Sequence, residues 1–183
     1  MTPTEGPGSE ERELRLHRAS SRQGRELLAG GIDRATALDR LRAQAPGFDE
    51  DRYETALDEA VAQLGRLRQW SLRRRAQDIA EARQHDVLNA VCALHYINRR
   101  YGRQYLADGI GPIEIHRVLG DLWSAEDVDE AIARSEELIQ DGWQYAPEPG
   151  AYEEQYSELA AAHPGFNLHN INRALDWGHT MNR

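Results

Sequence analysis

The sequence predicts an all-α fold of about seven or eight helices, built as helix-corner-helix units packed on a long central helix or an antiparallel helix pair. Three observations lead there. Apolar residues recur at steps of three and four over most of the 183 residues, the spacing of helices that each bury one stripe. No stretch alternates apolar and polar residues long enough to read as a strand, and the best short candidate is Trp143-Gln144-Tyr145. Glycine and proline fall in adjacent pairs at 30–31, 46–47, 149–150 and 164–165, where they end helices rather than interrupt them.

Taken in order, residues 1–9 carry no apolar anchor and predict a disordered tail, with Ser9 as cap of a first helix over Glu10 to Ala29. Asp33 caps a second, with Leu38 and Leu41 inward, which breaks at Pro46-Gly47. From Asp49, Tyr53, Leu57, Val61 and Leu64 mark a helical stripe, and the next clear stop is Gly102. So long a stretch is either one helix or two, joined near Gly65 to Ser71 or near His85-Asp86, where Asp86 can cap a new start. Pro112 opens a helix to Leu122, and Ser124 with Asp127 forms a capping box for a helix to Gln140. The last pair runs from Ala151 to Ala162 and, capped by Asn167, from Leu168 to about Met181. The resulting division is a tail (1–9), an N-terminal helical unit (10–64), a central arginine-rich helix (65–101), a helix-turn-helix-like unit (102–145) and a C-terminal helical unit (146–183).

Two pairs of segments resemble one another. Residues 41–58 match 159–176 at 8 of 18 positions, sharing Pro-Gly-Phe and a later Ala-Leu-Asp, and residues 24–32 match 102–110 at six of nine. Proline and glycine end a helix, Phe48 or Phe166 fills the corner, and Asp49 or Asn167 starts the next; Trp123 takes the aromatic place in a third pair. An internal repeat of helical hairpins is the expectation, and generic corner chemistry gives the same shape without duplication.

Composition removes several functions. All 22 basic residues are arginine, so Schiff-base chemistry and lysine-dependent phosphate loops are excluded. One cysteine, Cys92, excludes an intramolecular disulfide and multi-thiolate zinc, and with no apolar leader or spanning segment it predicts a cytoplasmic protein without membrane contact. Nucleophile elbows, zincin helices and dinucleotide fingerprints are missing, so the expectation leans away from an enzyme and implies no cofactor.

Charge placement carries the functional reading. Of a net −9, residues 63–105 hold nine arginines against three acids, +6, and the remainder holds −15. Within that stretch Arg66, Trp70, Arg73 and Arg74 share a helical side, with Arg75 beside them: guanidinium groups that can fork to carboxylates around an aromatic anchor. Pairing with acids of the same chain is the simplest fate of these arginines. If they stay open, the expected function is a non-catalytic, regulatory protein-protein interaction module whose partner is acidic. Nucleic-acid binding through the same segment is the second reading, since Trp70 can stack on a base. The helix-turn-helix-like unit does not help it, because Glu126, Asp127, Asp129, Glu130, Glu136 and Glu137 would repel phosphate.

Two further clusters complete the candidates. Trp143, Tyr145 and Tyr152 flank a proline-rich loop and serve either recognition or attachment of that loop to the core. Glu81, His85, Cys92 and His95 fall on one narrow stripe if the helix is unbroken, the basis of a third reading as a metal-dependent enzyme. The ordinary alternative is a row of boundary residues next to the core.

Overall fold

The structure, a computed structural model, describes residues 7–182, whose helices are α1 (Pro7–Gly30), α2 (Arg34–Gln44), α3 (Glu50–Ala82), α4 (Val87–Ala107), α5 (Ile115–Leu119), α6 (Ala125–Gly142), α7 (Tyr152–Ala162) and α8 (Leu168–Met181). The all-α expectation holds: there is no strand among the described residues. Nor is any described helix long and apolar enough to cross a membrane. Two compact units divide the chain, Met1–Arg74 with Arg103–Gly111, and Arg75–Gly102 with Pro112–Arg183. The divisions expected at 64/65 and 101/102 lie within α3 and α4.

Several boundaries differ from expectation. The anticipated tail falls mostly outside the described residues, but α1 already begins at Pro7, so Ser9 sits inside the helix and not at its cap. The central stretch is two helices, and the break is at 83–86. There the Gln84 and His85 amides reach back only three residues, to the Glu81 and Ala82 carbonyls, and the Asp86 carboxylate accepts from the Asn89 amide at 3.0 Å to start α4. Gly65 and Gly102 are both absorbed into helices, and α4 ends instead before Gly109, whose φ of 69° suits the left-handed turn. Pro112 does not open a helix. Asn98 exchanges two hydrogen bonds with the Ile113 backbone, at 2.7 and 2.9 Å, and this holds the segment extended until α5. Trp143-Gln144-Tyr145 is a turn leaving α6, because Asn182 ties up the Trp143 and Tyr145 carbonyls that a ladder would need. The expected caps Asp33, Ser124 with Asp127, and Asn167 all form.

In the first unit, Leu16 and Ala19 of α1, Leu38 and Leu41 of α2, and Tyr53 and Leu57 of α3 make one buried cluster. Burial of such side chains contributes ~1.5–3 kcal/mol each before conformational entropy is counted. In the second unit, Cys92 of α4, Leu138 of α6, Leu159 of α7, and Ile171 and Leu175 of α8 make another. α6 and α8 cross there so closely that a Cβ on Gly142 would lie 2.6 Å from the Ala174 carbonyl oxygen.

Each unit contains one Pro-Gly-Phe corner. The helix before it ends with similar backbone angles, φ −137° and ψ 71° at Ala45, φ −121° and ψ 69° at His163. Gly47 and Gly165 follow at φ 94° and 96°, where a side chain would be strained. An arginine from another helix of the same unit then covers each phenylalanine. Arg12 lies 5.4 Å from the Phe48 ring centre and donates to the Gly47 carbonyl at 2.7 Å. Arg134 lies 5.6 Å from the Phe166 ring and donates to the Pro164 carbonyl. The polar partners differ. Tyr53 Oη, from within its own corner, donates to Ala45 O and accepts from the Phe48 amide. At the second corner Asn89 of α4 does this work. Its Nδ2 donates to Gly165 O, while its Oδ1 accepts from the Asn167 amide and from Asn170 Nδ2.

Candidate partner-binding surface

The residues of α3 beyond Gly65 are divided by the helix's own geometry. Ser71 is buried and donates to the Asp108 carboxylate at 3.0 Å, which turns the opposite side outward. On that outward side lie Arg66, Trp70 and Arg73, at steps of four and three, and Leu67 and Arg74 are exposed on its flank. Trp70 is 56% exposed and Leu67 is exposed beside it. An uncovered indole forgoes much burial, because of its large apolar surface, and Trp70 is the more exposed of the two tryptophans left open among the described residues.

The arginines of this stretch separate into two kinds. Arg75 leaves the expected set: it is 9% exposed and its guanidinium donates to the Pro112 carbonyl at 2.9 Å. Arg83, further along α3's end, is clasped by both Asp121 carboxylate oxygens and the Val118 carbonyl, and Asp121 is held below the usual carboxylate range by that guanidinium. Arg66 and Arg73, by contrast, are exposed and form no ion pair among the described residues; Arg74 is exposed but not without a partner. Elsewhere the arginines divide in the same way: Arg18, Arg25, Arg99, Arg103 and Arg117 are also exposed without an ion pair among the described residues, while others are engaged. Arg34 reaches Asp58, Arg40 reaches Glu26, Arg42 reaches Asp39 and Glu50, and Arg52 reaches Glu13. What sets this place apart is therefore the exposed tryptophan between two such guanidinium groups, and not the lack of ion pairs itself.

The aromatic loop is less open than its sequence allowed. Tyr145 packs against the second core and its hydroxyl lies 3.3 Å from Glu158, so burial first and that carboxylate second push its phenol up. Tyr152 donates to Asn172 and meets the His179 ring edge-on at 5.8 Å. Trp143 alone of the three keeps an exposed ring without such a contact.

The break at 83–86 dismantles the metal stripe. Glu81 stays before it and His85 lies within it, and the two line a cleft with Asp78, His169 and Arg173, too narrow for more than about one water. Cys92 lies beyond it in the core, where burial pushes the thiol up to about 12 and makes it a poor ligand or nucleophile at neutral pH. His95 faces Glu136 at 3.7 Å, and burial, outweighing that carboxylate, lowers its pKa. Among the described residues no group of three or more His, Cys, Asp or Glu is arranged to hold a metal ion.

Two features escaped the sequence reading. Leu67 belongs with Trp70, and its place three residues ahead on the same side was the available signal. Asn89 clasps a corner more than seventy residues away in the chain, and no local pattern marks such a role. No protein-family model, curated protein or solved structure matches the chain.

Proposed function

We propose that the chain is a non-catalytic helical interaction module, regulatory rather than enzymatic, that binds an acidic protein partner through the outward side of α3. The observation that carries this reading is the exposed Trp70 between Arg66 and Arg73, both open in a chain whose net charge is −9. Open arginines occur elsewhere on this chain too, so it is the large exposed indole between two of them that supports an external use. Exposed apolar area framed by guanidinium groups has the anatomy of an interface hot spot, where Trp and Arg are enriched and a rim of charge sets the partner. Arg75 and Arg83 serve the fold and are outside the surface.

Nucleic acid is the second reading, and Trp70 beside Arg66 and Arg73 is the arrangement that favours it. The two separate in one titration. Fluorescent poly-L-glutamate and a fluorescent DNA duplex are each added to the full chain over a range of salt. The protein-partner reading expects poly-L-glutamate to bind, Arg66→Glu/Arg73→Glu to abolish that binding, and the duplex to stay free. Duplex binding that weakens linearly with log salt, with a smaller slope in the variant, would transfer the surface to nucleic acid.

A further inference from the structure

Resting on the reading of α3 as an acidic-partner surface, we infer that one such partner is a second copy of this chain, docked antiparallel along its α6. The outward side of α3 presents Arg66, Trp70 and Arg73 at steps of four and three. The exposed side of α6 presents Glu137, Ala133 and Glu130 at the same steps when read in the opposite direction. Both sets span about 10.5 Å at the helical rise, so one antiparallel register sets Arg66 against Glu137 and Arg73 against Glu130. Trp70 then falls on Ala133, a side chain small enough to let the indole lie flat between the two ion pairs. The parallel direction instead sets Trp70 against Arg134, which is engaged at the Phe166 corner.

Some acids of α6 are as open as Arg66 and Arg73 of α3. Asp127 closes the N-terminal capping box, Asp129 lies 3.0 Å from His116, and Glu136 faces His95. Glu126, Glu130 and Glu137 form no ion pair among the described residues, and Arg134, the helix's one basic residue, is turned to the Pro164 carbonyl. A charged stripe on a helix is ordinarily a solvated face. Here the complementary stripe, with matched spacing and an exposed aromatic at its centre, is present on the same chain. One such contact leaves an unused α3 on one copy and an unused α6 on the other, so association increases with concentration.

Sedimentation velocity of the full chain at low salt, over about a hundredfold range of concentration, tests the assignment. The expected result is a mass that rises with concentration from the 20.8 kDa monomer and falls back at high salt. Arg66→Glu/Arg73→Glu and Glu130→Arg/Glu137→Arg each stay monomeric alone, and an equal mixture of the two associates again because the charges are exchanged. A wild-type chain that stays monomeric at every concentration overturns the assignment, as does either charge-reversed variant associating as the wild type does. Should either reversal lose its helical circular dichroism, Arg66→Gln/Arg73→Gln and Glu130→Gln/Glu137→Gln carry the same test. A wild type that stays monomeric but binds poly-L-glutamate, with that binding lost in Arg66→Gln/Arg73→Gln, removes self-docking and leaves the acidic-partner reading; a monomeric wild type that does not bind poly-L-glutamate removes both.

Discussion

The Pro-Gly-Phe corners and the outward side of α3 use the same two kinds of group, guanidinium and aromatic ring, to opposite ends. At the corners Arg12 and Arg134 cover phenylalanine and hand their protons to backbone carbonyls inside the molecule. On α3 Arg66 and Arg73 surround Trp70 and hand theirs to nothing in the described chain. The difference is one of backbone. A corner exposes orphan carbonyls that a guanidinium can satisfy, whereas the middle of a long helix has already paired its own. At these places arginine beside an aromatic is structural where the backbone is broken and open on α3, whereas on α4 the Tyr96 hydroxyl engages Arg100 within a continuous helix.

This contrast predicts large stability effects at the corners and small ones on α3. The largest should follow Asn89→Ala, which removes the clasp on Gly165, Asn167 and Asn170 and leaves buried polar groups unpaired, for a loss of about 3 kcal/mol in urea unfolding. A loss below about 1 kcal/mol would mean that water replaces the clasp and that the second corner is less closed than described. Tyr53→Phe removes one hydroxyl that serves both Ala45 O and the Phe48 amide, and should cost about 1–2 kcal/mol. Comparing these two variants sharpens the difference between a corner closed from within and one closed from a distant helix.

Arg134→Ala should cost about 1–2 kcal/mol through the lost carbonyl bond and ring contact, while leaving poly-L-glutamate binding unchanged. The same variant reducing binding would merge the two classes of arginine. A pH effect is expected to be smaller again. Burial lowers the pKa of His95, with Arg99 adding to the shift and Glu136 opposing it, and burial also lowers that of His169, with Arg173 and His85 adding and Glu81 opposing. As pH falls below the unfolded value of about 6.5, the unfolded chain takes up protons that the native histidines resist. Stability is therefore full above that pH and declines as pH falls toward the lowered native values. Urea midpoints at pH 7.5 and 5.5 check this, and His95→Gln should flatten the difference.

Much of the fold was legible because its signals are local. Asp33, Ser124 with Asp127, and Asn167 announce helix starts by side-chain chemistry that acts within three residues, and the Pro-Gly-Phe corners announce stops in the same way. What failed was decided at longer range. Gly102 looks like a stop but costs α4 only its propensity, and Pro112 looks like a start until Asn98 holds the next residue extended. Of the candidate surface, the periodicity of Arg66, Trp70 and Arg73 was readable. The departure of Arg75 was not, because its acceptor is a backbone carbonyl 37 residues away.

Arg66 and Arg73, on either side of Trp70, should carry no folding load. Urea unfolding of Arg66→Gln/Arg73→Gln, which keeps much of each side chain's length and removes its charge, tests it most directly. The expected stability is within about 0.5 kcal/mol of the wild type, as for exposed residues without partners. A loss of more than about 1 kcal/mol would show these arginines to be paired within the fold and would contradict a surface held open for a partner.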